Sequence, residues 1–310
     1  MLTIRNKGHV AILMGTYNGA AFIEKQLHSI KDQGWKNWSL WVSDDGSKDD
    51  TRSITERVFK DGENSCTILT GPQKGFCENF KSLIGNPAIE AGFYAFADQD
   101  DIWHSAKLLR AVEYLQSLPK EGPAIYCTRT RLIDEHDQSL GLSPLNTKRP
   151  GFPNALLQNI ASGNTMVFNA AARQLFLKIL DLPVIAHDWA LYLIVSACGG
   201  KVFFDPEPSV FYRQHNANAI GSGMKLTQRV NNFIDAHQGR NRHWNDVNFR
   251  FLAQLKAEMT PENRVVFDAF RHIRDSTLLA RIKLFKASGV YHQNRLGQMT
   301  NFSYALFNKF

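Results

Sequence analysis

The sequence predicts an α/β protein: a doubly wound, mostly parallel sheet with helices on both faces, followed by a C-terminal helical appendage. Three observations predict it. Short apolar runs alternate with helical spacing through the first half of the chain. Polar Asp, Asn and Gly clusters close several of those runs. From about residue 225 the pattern becomes helical and basic.

Residues 10–14, 40–43, 66–69, 93–97 and 124–127 each read as a buried strand. Between them Ile23, Leu27 and Ile30 recur at helical spacing, as do Leu108, Val112 and Leu115. Ser47 ahead of Asp50 offers a capping-box variant for a helix carrying Ile54 and Val58. Residues 138–163, rich in Pro, Asn, Gly and Ser, read as a loop or lid, and a second irregular stretch is expected through Asp205, Pro206 and Pro208. In the tail, Val247, Phe251, Leu255 and Met259 form one stripe. Val266, Phe270, Ile273, Thr277 and Leu284 form another, flanked by Arg264, Arg271, Arg274 and Arg281. Such an Arg-edged stripe, with Tyr291, Phe302, Tyr304, Phe307 and Phe310 beyond it, suits a peripheral membrane contact. Packing on the body or on a second subunit is the alternative, and oligomerisation stays open.

With 310 residues, 44% hydrophobic and 21% charged, the chain is expected to be globular rather than disordered. Its net charge of +7 is uneven. Residues 1–224 hold 22 Lys+Arg against 23 Asp+Glu, whereas residues 225–310 hold 14 against 6. The division expected is therefore a neutral catalytic domain over 1–224 and a basic helical region over 225–310. Cys66, Cys77, Cys127 and Cys198 have neither disulfide nor metal-ligand spacing, which points to the reducing cytoplasm. Too short an apolar run opens the chain for a signal peptide, and none reaches the roughly 18 residues of a membrane span.

Ligands of a doubly wound sheet bind outside the carboxyl ends of its strands. Three strands end there in polar clusters: Gly15-Thr16-Tyr17-Asn18, Asp44-Asp45-Gly46-Ser47 and Asp98-Gln99-Asp100-Asp101. Each alone is an ordinary turn sequence; three on one edge point to a site. Neither GxGxxG nor GxxxxGK[ST] follows the first strand, so no dinucleotide fold or P-loop is supported. A crevice with acids and no Gly-rich phosphate cradle holds phosphates through a divalent cation, Mg²⁺ or Mn²⁺. Asp98-x-Asp100 then places one carboxylate on the metal and the other on a sugar or ribose.

The segments VAILMGTYNGAAFIEKQLHSI, LWVSDDGSKDDT, GPQKGFCENF and AFADQDDIWHSAKL, in this order, resemble family-2 glycosyltransferases of the GT-A fold. TYNG, GFxxNF and DQDDIW are most similar to the bacterial rhamnosyltransferase-like branch, and the resemblance covers about residues 9–221. It implies an inverting, metal-dependent transfer of a hexose from a nucleotide-diphosphate sugar. The donor implied is dTDP-rhamnose, with UDP-sugars next. The acceptor is a glycan or lipid-linked oligosaccharide of surface polysaccharide or lipopolysaccharide synthesis, reached in the cytoplasm or at the inner face of the membrane.

Carried onto this sequence, the resemblance lines the nucleoside pocket with Thr16 and Tyr17. It sets Asp45, with Asp44 beside it, on the nucleobase. Asp100 becomes the metal ligand, Asp98 lies near the sugar, and Lys74 and Asn79 reach the donor. Asn18 and Phe80 are equally well structural. His187-Asp188-Trp189 occupies the place of the family's base motif, making Asp188 the general base; a helix N-cap is its alternative role. His187 replaces the usual acid there and either tunes Asp188, contacts the acceptor or is structural. Trp189, Asn164 and Thr165 fall on the acceptor side. His215 becomes a further metal ligand and Arg213 a diphosphate contact, in a closing segment that also holds Asn218; a plain surface loop is the alternative. Other classes weighed are nucleotidyl transfer, which lacks its Gly-rich loop here, and nucleic-acid binding by the tail, which lacks a module and leaves the acids unexplained. An inactive scaffold of the same family conflicts with intact DQDD and HDW acids. No nucleic-acid partner is expected.

Overall fold

A computed structural model describes residues 8–60, 64–119, 122–215, 235 and 238–310. Asn218 and the predicted boundary at 224 lie outside the described residues. The strands are β1 (Val10–Thr16), β2 (Trp38–Asp44), β3 (Cys66–Thr70), β4 (Phe93–Ala97), β5 (Ile102–Trp103), β6 (Ala124–Ile133), β7 (Ser139–Leu142), β8 (Val167–Asn169) and β9 (Lys201–Arg213). They make one sheet in the order β3-β2-β1-β4-β8-β6-β9-β5, with β7 on β6. Four strands, β3 to β4 along that order, are parallel; β8 runs against β4 and β6, and β9 parallels β6. Thr16 stands beside Asp44, Asp44 beside Thr70, and Met14 beside Ala97. The parallel strands therefore end level and deliver their loops to one edge.

Period-two alternation divides the core. Val10, Ile12 and Met14 face one layer with Ile23, Leu27 and Ile30 of α1 (Ile23–Lys31) and Leu108, Val112 and Leu115 of α4 (Lys107–Ser117). Val58 of α2 (Thr51–Phe59) joins them. Ala11 and Leu13 face the other layer with α3 (Phe76–Gly85), α6 (Ala170–Leu177) and α7 (His187–Ala197). Each fully buried Ile, Leu or Val adds about 1.5–3 kcal/mol relative to exposure. Ser47 does not cap α2; its N-cap is Asp50, without a side-chain bond. The Ser47 hydroxyl donates to Asp44 Oδ2 instead, at 2.6 Å.

The segment 138–163 is no free lid. It contains β7 at the sheet edge and α5 (Phe152–Ala155), whose Phe152 and Ala155 are buried in the main core with Leu156, Ile160 and Ala161. Nor does the chain leave the sheet at its prolines. Strand β9 runs on through Pro206 and Pro208, because a register shift takes Thr128 opposite Asp205 and Thr130 opposite Val210. A bulge accommodates residues that cannot donate to the ladder.

Helix α7 is buried at every position from Ala190 to Ala197, so something must cover its outer side. The tail does so. Helices α8 (Arg240–Gln254), α9 (Pro261–Arg271), α10 (Leu278–Ala287) and α11 (Arg295–Leu306) contribute Phe251, Leu255, Phe267, Phe270, Phe285 and Tyr304 to the same core as Leu191 and Tyr192. Asn263 Nδ2 donates to the carbonyls of Ser196 and Ala197, both at 3.0 Å, satisfying the open end of α7. The Arg-edged stripe is thus redirected: Phe270 and Ile273 are buried, and residues 272–277 break the helix. Arg264 binds the carbonyls of Met259 and Ala257, and Arg274 pairs with Asp246. The charge changes near residue 224; the core runs across it.

Candidate active site

Four parallel strands and the last residues of β9 build one crevice edge. At the end of β1, Thr16 is buried and donates to Asp44 Oδ2 at 3.0 Å. Asp44 also accepts from the N–H groups of Gly46 (3.2 Å) and Ser47 (2.9 Å), closing an Asx-type turn. Thr16 and Asp44 therefore brace the wall at the place where Thr16 is expected to line a nucleoside pocket and Asp44 to lie beside Asp45. Asp45 accepts from Gln73 N at 2.6 Å and Gly75 N at 2.9 Å. One lone pair per oxygen is engaged, and a second remains for a ligand. Those two amides bracket Lys74, so Asp45 presents the exposed Lys74 side chain at the mouth. Asn79 is buried, and its Nδ2 donates to Ser43 O at 2.8 Å; it is corrected from donor contact to strand brace.

The side chain of Tyr17 is 56% exposed at this edge, an aromatic face open to a base or sugar. Its backbone is clamped: Tyr17 N donates to Gln99 Oε1 (2.9 Å) and Gln99 Nε2 returns to Tyr17 O (3.0 Å). The clamp needs a glycine nearby, since a Cβ on Gly19 would lie 2.2 Å from Gln99 Oε1. Gln99 thus joins the ends of β1 and β4, a role its place between two acids conceals in the sequence.

After β4 the acids divide their work. Asp100 Oδ2 lies 2.8 Å from His215 Nε2, so the residue from β4 and the residue beyond β9 come together. Phe22 stacks on His215 with centroids 5.1 Å apart. Asp98 is pushed up to about 7 by burial first, then by Asp100 and Asp188, with Lys107 opposing. Asp101, a member of the strand-end cluster without a role of its own in the sequence reading, is fully buried and accepts from Asn164 Nδ2 (2.7 Å) and Arg213 N (3.1 Å). Burial, Asp100 and Asp98 push it well above the carboxylate range. Lys107 is also fully buried, 3.4 Å above the Trp103 ring and bonded to Asn164 O at 2.5 Å. Burial holds it well below the usual lysine range, while Asp101 and Asp98 pull it up.

Arg213 is buried and grips the Asp100 carbonyl (2.8 Å), the Asp134 carbonyl (2.9 Å) and Asp137 (2.5 Å), above the Phe22 ring. It is corrected from diphosphate contact to scaffold of the acidic loop. Asn164 and Thr165 are corrected likewise. Both are buried; Asn164 binds Asp101 and Ser162, and Thr165 binds Ser162 O and Thr128 N. Only their backbone turn reaches the site, through Gly163 N.

That amide donates to Asp188 Oδ2 at 2.8 Å, and Trp189 N donates to Oδ1 at 2.6 Å. Asp188 stands in the first turn of α7, half-buried, with its charge felt at Asp98. The N-cap is Ala186, so capping is not its role. His187 is buried against Phe80 (centroids 4.0 Å, stacked) and Phe96 (4.6 Å, edge-on). Neither ring nitrogen has a partner among the described residues, and burial pushes the imidazole down to about 4, with Asp188 pulling it up. It is a neutral, aromatic-packed residue next to Asp188, which fits the structural role among those expected of it. Trp189 points away from the crevice: its Nε1 donates to Ala155 O at 2.8 Å and its ring meets Trp244 of the tail edge-on.

Among the described residues no three His, Cys, Asp or Glu side chains are grouped for a metal. Asp100 with His215 is a pair of oxygen and nitrogen donors on an open crevice. That fits a cation which keeps most of its sphere for water and phosphate oxygens.

A mostly parallel sheet ending in acids, with a carboxylate at a helix start, is the arrangement of a GT-A fold. The sequence matches the model of Glycosyl transferase family 2 over residues 11–179, and the chain belongs to that family; it is a glycosyltransferase. The dTDP-rhamnosyl transferase RfbG of Shigella flexneri is 29% identical over 225 residues, 69% of this chain and 75% of that one. In fold, the chain resembles TarS of S. aureus, solved with UDP-GlcNAc (TM-score 0.52, 12% identity, 96% of this chain and 90% of that one). It also resembles the mannosyltransferase PcManGT of Pyrobaculum calidifontis, solved with GDP-Man and Mn²⁺ (TM-score 0.51, 16% identity, 99% and 89%).

Proposed function

We propose that the chain is an inverting, metal-dependent glycosyltransferase of bacterial surface-polysaccharide synthesis. It transfers rhamnose from dTDP-rhamnose, with UDP-sugars second, to a glycan or lipid-linked oligosaccharide. It works in the cytoplasm or at the inner face of the membrane. The observation that carries the reading is the position of Asp188: a half-buried carboxylate fixed by two backbone N–H groups, close enough for its charge to act on Asp98, on which Asp100 of the Asp100–His215 pair also acts. Similarity to a dTDP-rhamnosyl transferase supports the sugar.

In this mechanism the donor's nucleoside lies against Tyr17, with Asp45 reading a base N–H through its free lone pairs and Lys74 reaching the diphosphate. Asp98 accepts from a sugar or ribose hydroxyl. Asp100 and His215 hold Mg²⁺ or Mn²⁺, which supplies charge neutralisation for the departing diphosphate. Asp188 takes the proton of the acceptor hydroxyl as its oxygen attacks the anomeric carbon from the face opposite the leaving group. The Gly163 and Trp189 amides aim that carboxylate; a Cβ on Gly163 would sit 3.3 Å from Asp188 Cβ and crowd it. Its neighbour His187, neutral at working pH, adds no competing charge.

A panel of nucleotide sugars with Mg²⁺ or Mn²⁺, read by thermal shift and donor hydrolysis, tests the reading. Stabilisation by one nucleotide-diphosphate sugar, strengthened by the cation and lost in Asp100→Ala, is expected. No response to any donor would refute it. A metal-independent response would remove Asp100 and His215 as its ligands.

A further inference from the structure

A further open surface lies far along the chain, on the α10–α11 hairpin. Between the two helices runs a groove of about 530 Å³, walled by Phe285, Val290, Met299, Phe302 and Leu306, with Lys286 at its rim. Beside it Leu279 is 74% exposed, Met299 69%, Phe307 65% and Leu296 64%. One exposed apolar side chain needs no explanation; four on one hairpin with a groove do. The charge there is of one sign. Residues 276–310 contain Arg281, Lys283, Lys286, Arg295 and Lys309 and no Asp or Glu. On α10, Leu279, Lys283 and Lys286 follow helical spacing on a single exposed stripe, opposite the buried Phe285. Among the described residues Lys283, Lys286 and Arg295 have no acidic partner.

We propose that this face docks on an anionic phospholipid bilayer. Lysines and Arg295 meet the headgroups, while Leu279, Leu296, Met299 and Phe307 enter the headgroup–acyl boundary and the groove takes acyl chain. A bilayer supplies anionic charge and apolar volume next to each other, which is the pairing this face displays. A second copy of the chain would bring cation against cation. The surface narrows the membrane face expected from the sequence to the hairpin, since Phe270 and Ile273 are buried on the body, and the inference stands apart from the choice of sugar or acceptor.

Flotation of the full chain with vesicles of phosphatidylcholine containing about a third phosphatidylglycerol, at low and at high salt, tests it. Binding is expected to the anionic vesicles at low salt, and to fall with high salt and with pure phosphatidylcholine. Lys283→Glu with Lys286→Glu should lower partitioning roughly tenfold or more, and Leu279→Glu with Met299→Glu should do the same. All four positions are exposed, so circular dichroism and melting temperature should stay unchanged, separating a docking defect from misfolding. Wild-type protein that fails to float, or variants that float equally, would overturn the proposal. So would a dimer in sedimentation velocity that the Leu279→Glu, Met299→Glu protein loses, since the face would then be a contact between copies.

Discussion

The crevice edge and the α10–α11 hairpin both concentrate charge of one sign, and they treat it in opposite ways. Asp44, Asp45, Asp101 and Asp188 each accept from N–H donors, and Asp100 meets His215. Lys283, Lys286 and Arg295 are exposed to solvent. Fixed, desolvated charge is preorganised for one small ligand and costs folding energy when a partner is lost. Solvated charge on flexible stems costs little and suits a broad, yielding surface. The difference predicts that crevice variants fail in chemistry or folding, whereas hairpin variants fail only in location.

The largest expected effect is on catalysis. Asp188→Asn keeps one of the two backbone hydrogen bonds, since its amide nitrogen cannot accept, and removes the base, so transfer should fall about 10²–10⁴-fold while donor affinity holds. Steady-state kinetics beside donor titration checks it, and undiminished transfer would remove Asp188 as the base. Next comes Arg213→Met, which frees the Asp100 and Asp134 carbonyls and leaves Asp137 with Lys25 alone. Losing the charge-assisted hydrogen bonds of the buried guanidinium, each about 1.5–3 kcal/mol, should cost about 3 kcal/mol or more in denaturant unfolding. A loss under about 1 kcal/mol, typical of surface pairs, would return Arg213 to the ligand side of the site.

How far the sequence told these regions apart depends on what each signal measures. Alternation placed Val10, Ile12 and Met14 against Ile23, Leu27 and Ile30, because burial on a strand and on a helix has a fixed period. Strand-end acids located the crevice for the same reason. Polar residues inside it were less legible. Asn79, Asn164, Thr165 and Arg213 have the chemistry of ligand contacts, and only burial shows that they brace. Asp101 was visible as one of a strand-end cluster and Lys107 not at all, because nothing local marks which charge is buried. His187 could not be read, since Phe80 and Phe96 reach it from elsewhere in the chain. The stripe of Phe270 and Ile273 was visible as apolar, yet periodicity cannot say whether lipid or α7 covers it.

His187 supplies the third effect, through pH. Its folded value of about 4 lies below the ordinary 6.5, so the unfolded chain takes up a proton first as pH falls. Stability is then whole above pH about 6.5 and is lost down to about 4, by up to ~3 kcal/mol. Asp98, raised to about 7, has the opposite sign, so the difference between wild type and His187→Phe isolates the histidine. Melting temperature against pH should flatten in that variant; an unchanged slope would mean that the native imidazole titrates normally.

The smallest effect addresses where body ends and tail begins. Thr260 Oγ1 accepts from Asn263 N at 3.2 Å and caps α9, whose Asn263 amide in turn closes the C-terminus of α7. Thr260→Ala should cost about 1 kcal/mol, the usual value of a cap. The informative reading is which transition moves. If the basic helices were an appendage, calorimetry would show two transitions, with only the tail's lowered. Because Phe251, Phe267 and Phe270 share a core with Leu191 and Tyr192, one transition should carry the whole loss. Membrane docking by the hairpin would then hold the crevice at a fixed orientation to the bilayer, since the described tail helices and α7 share one core.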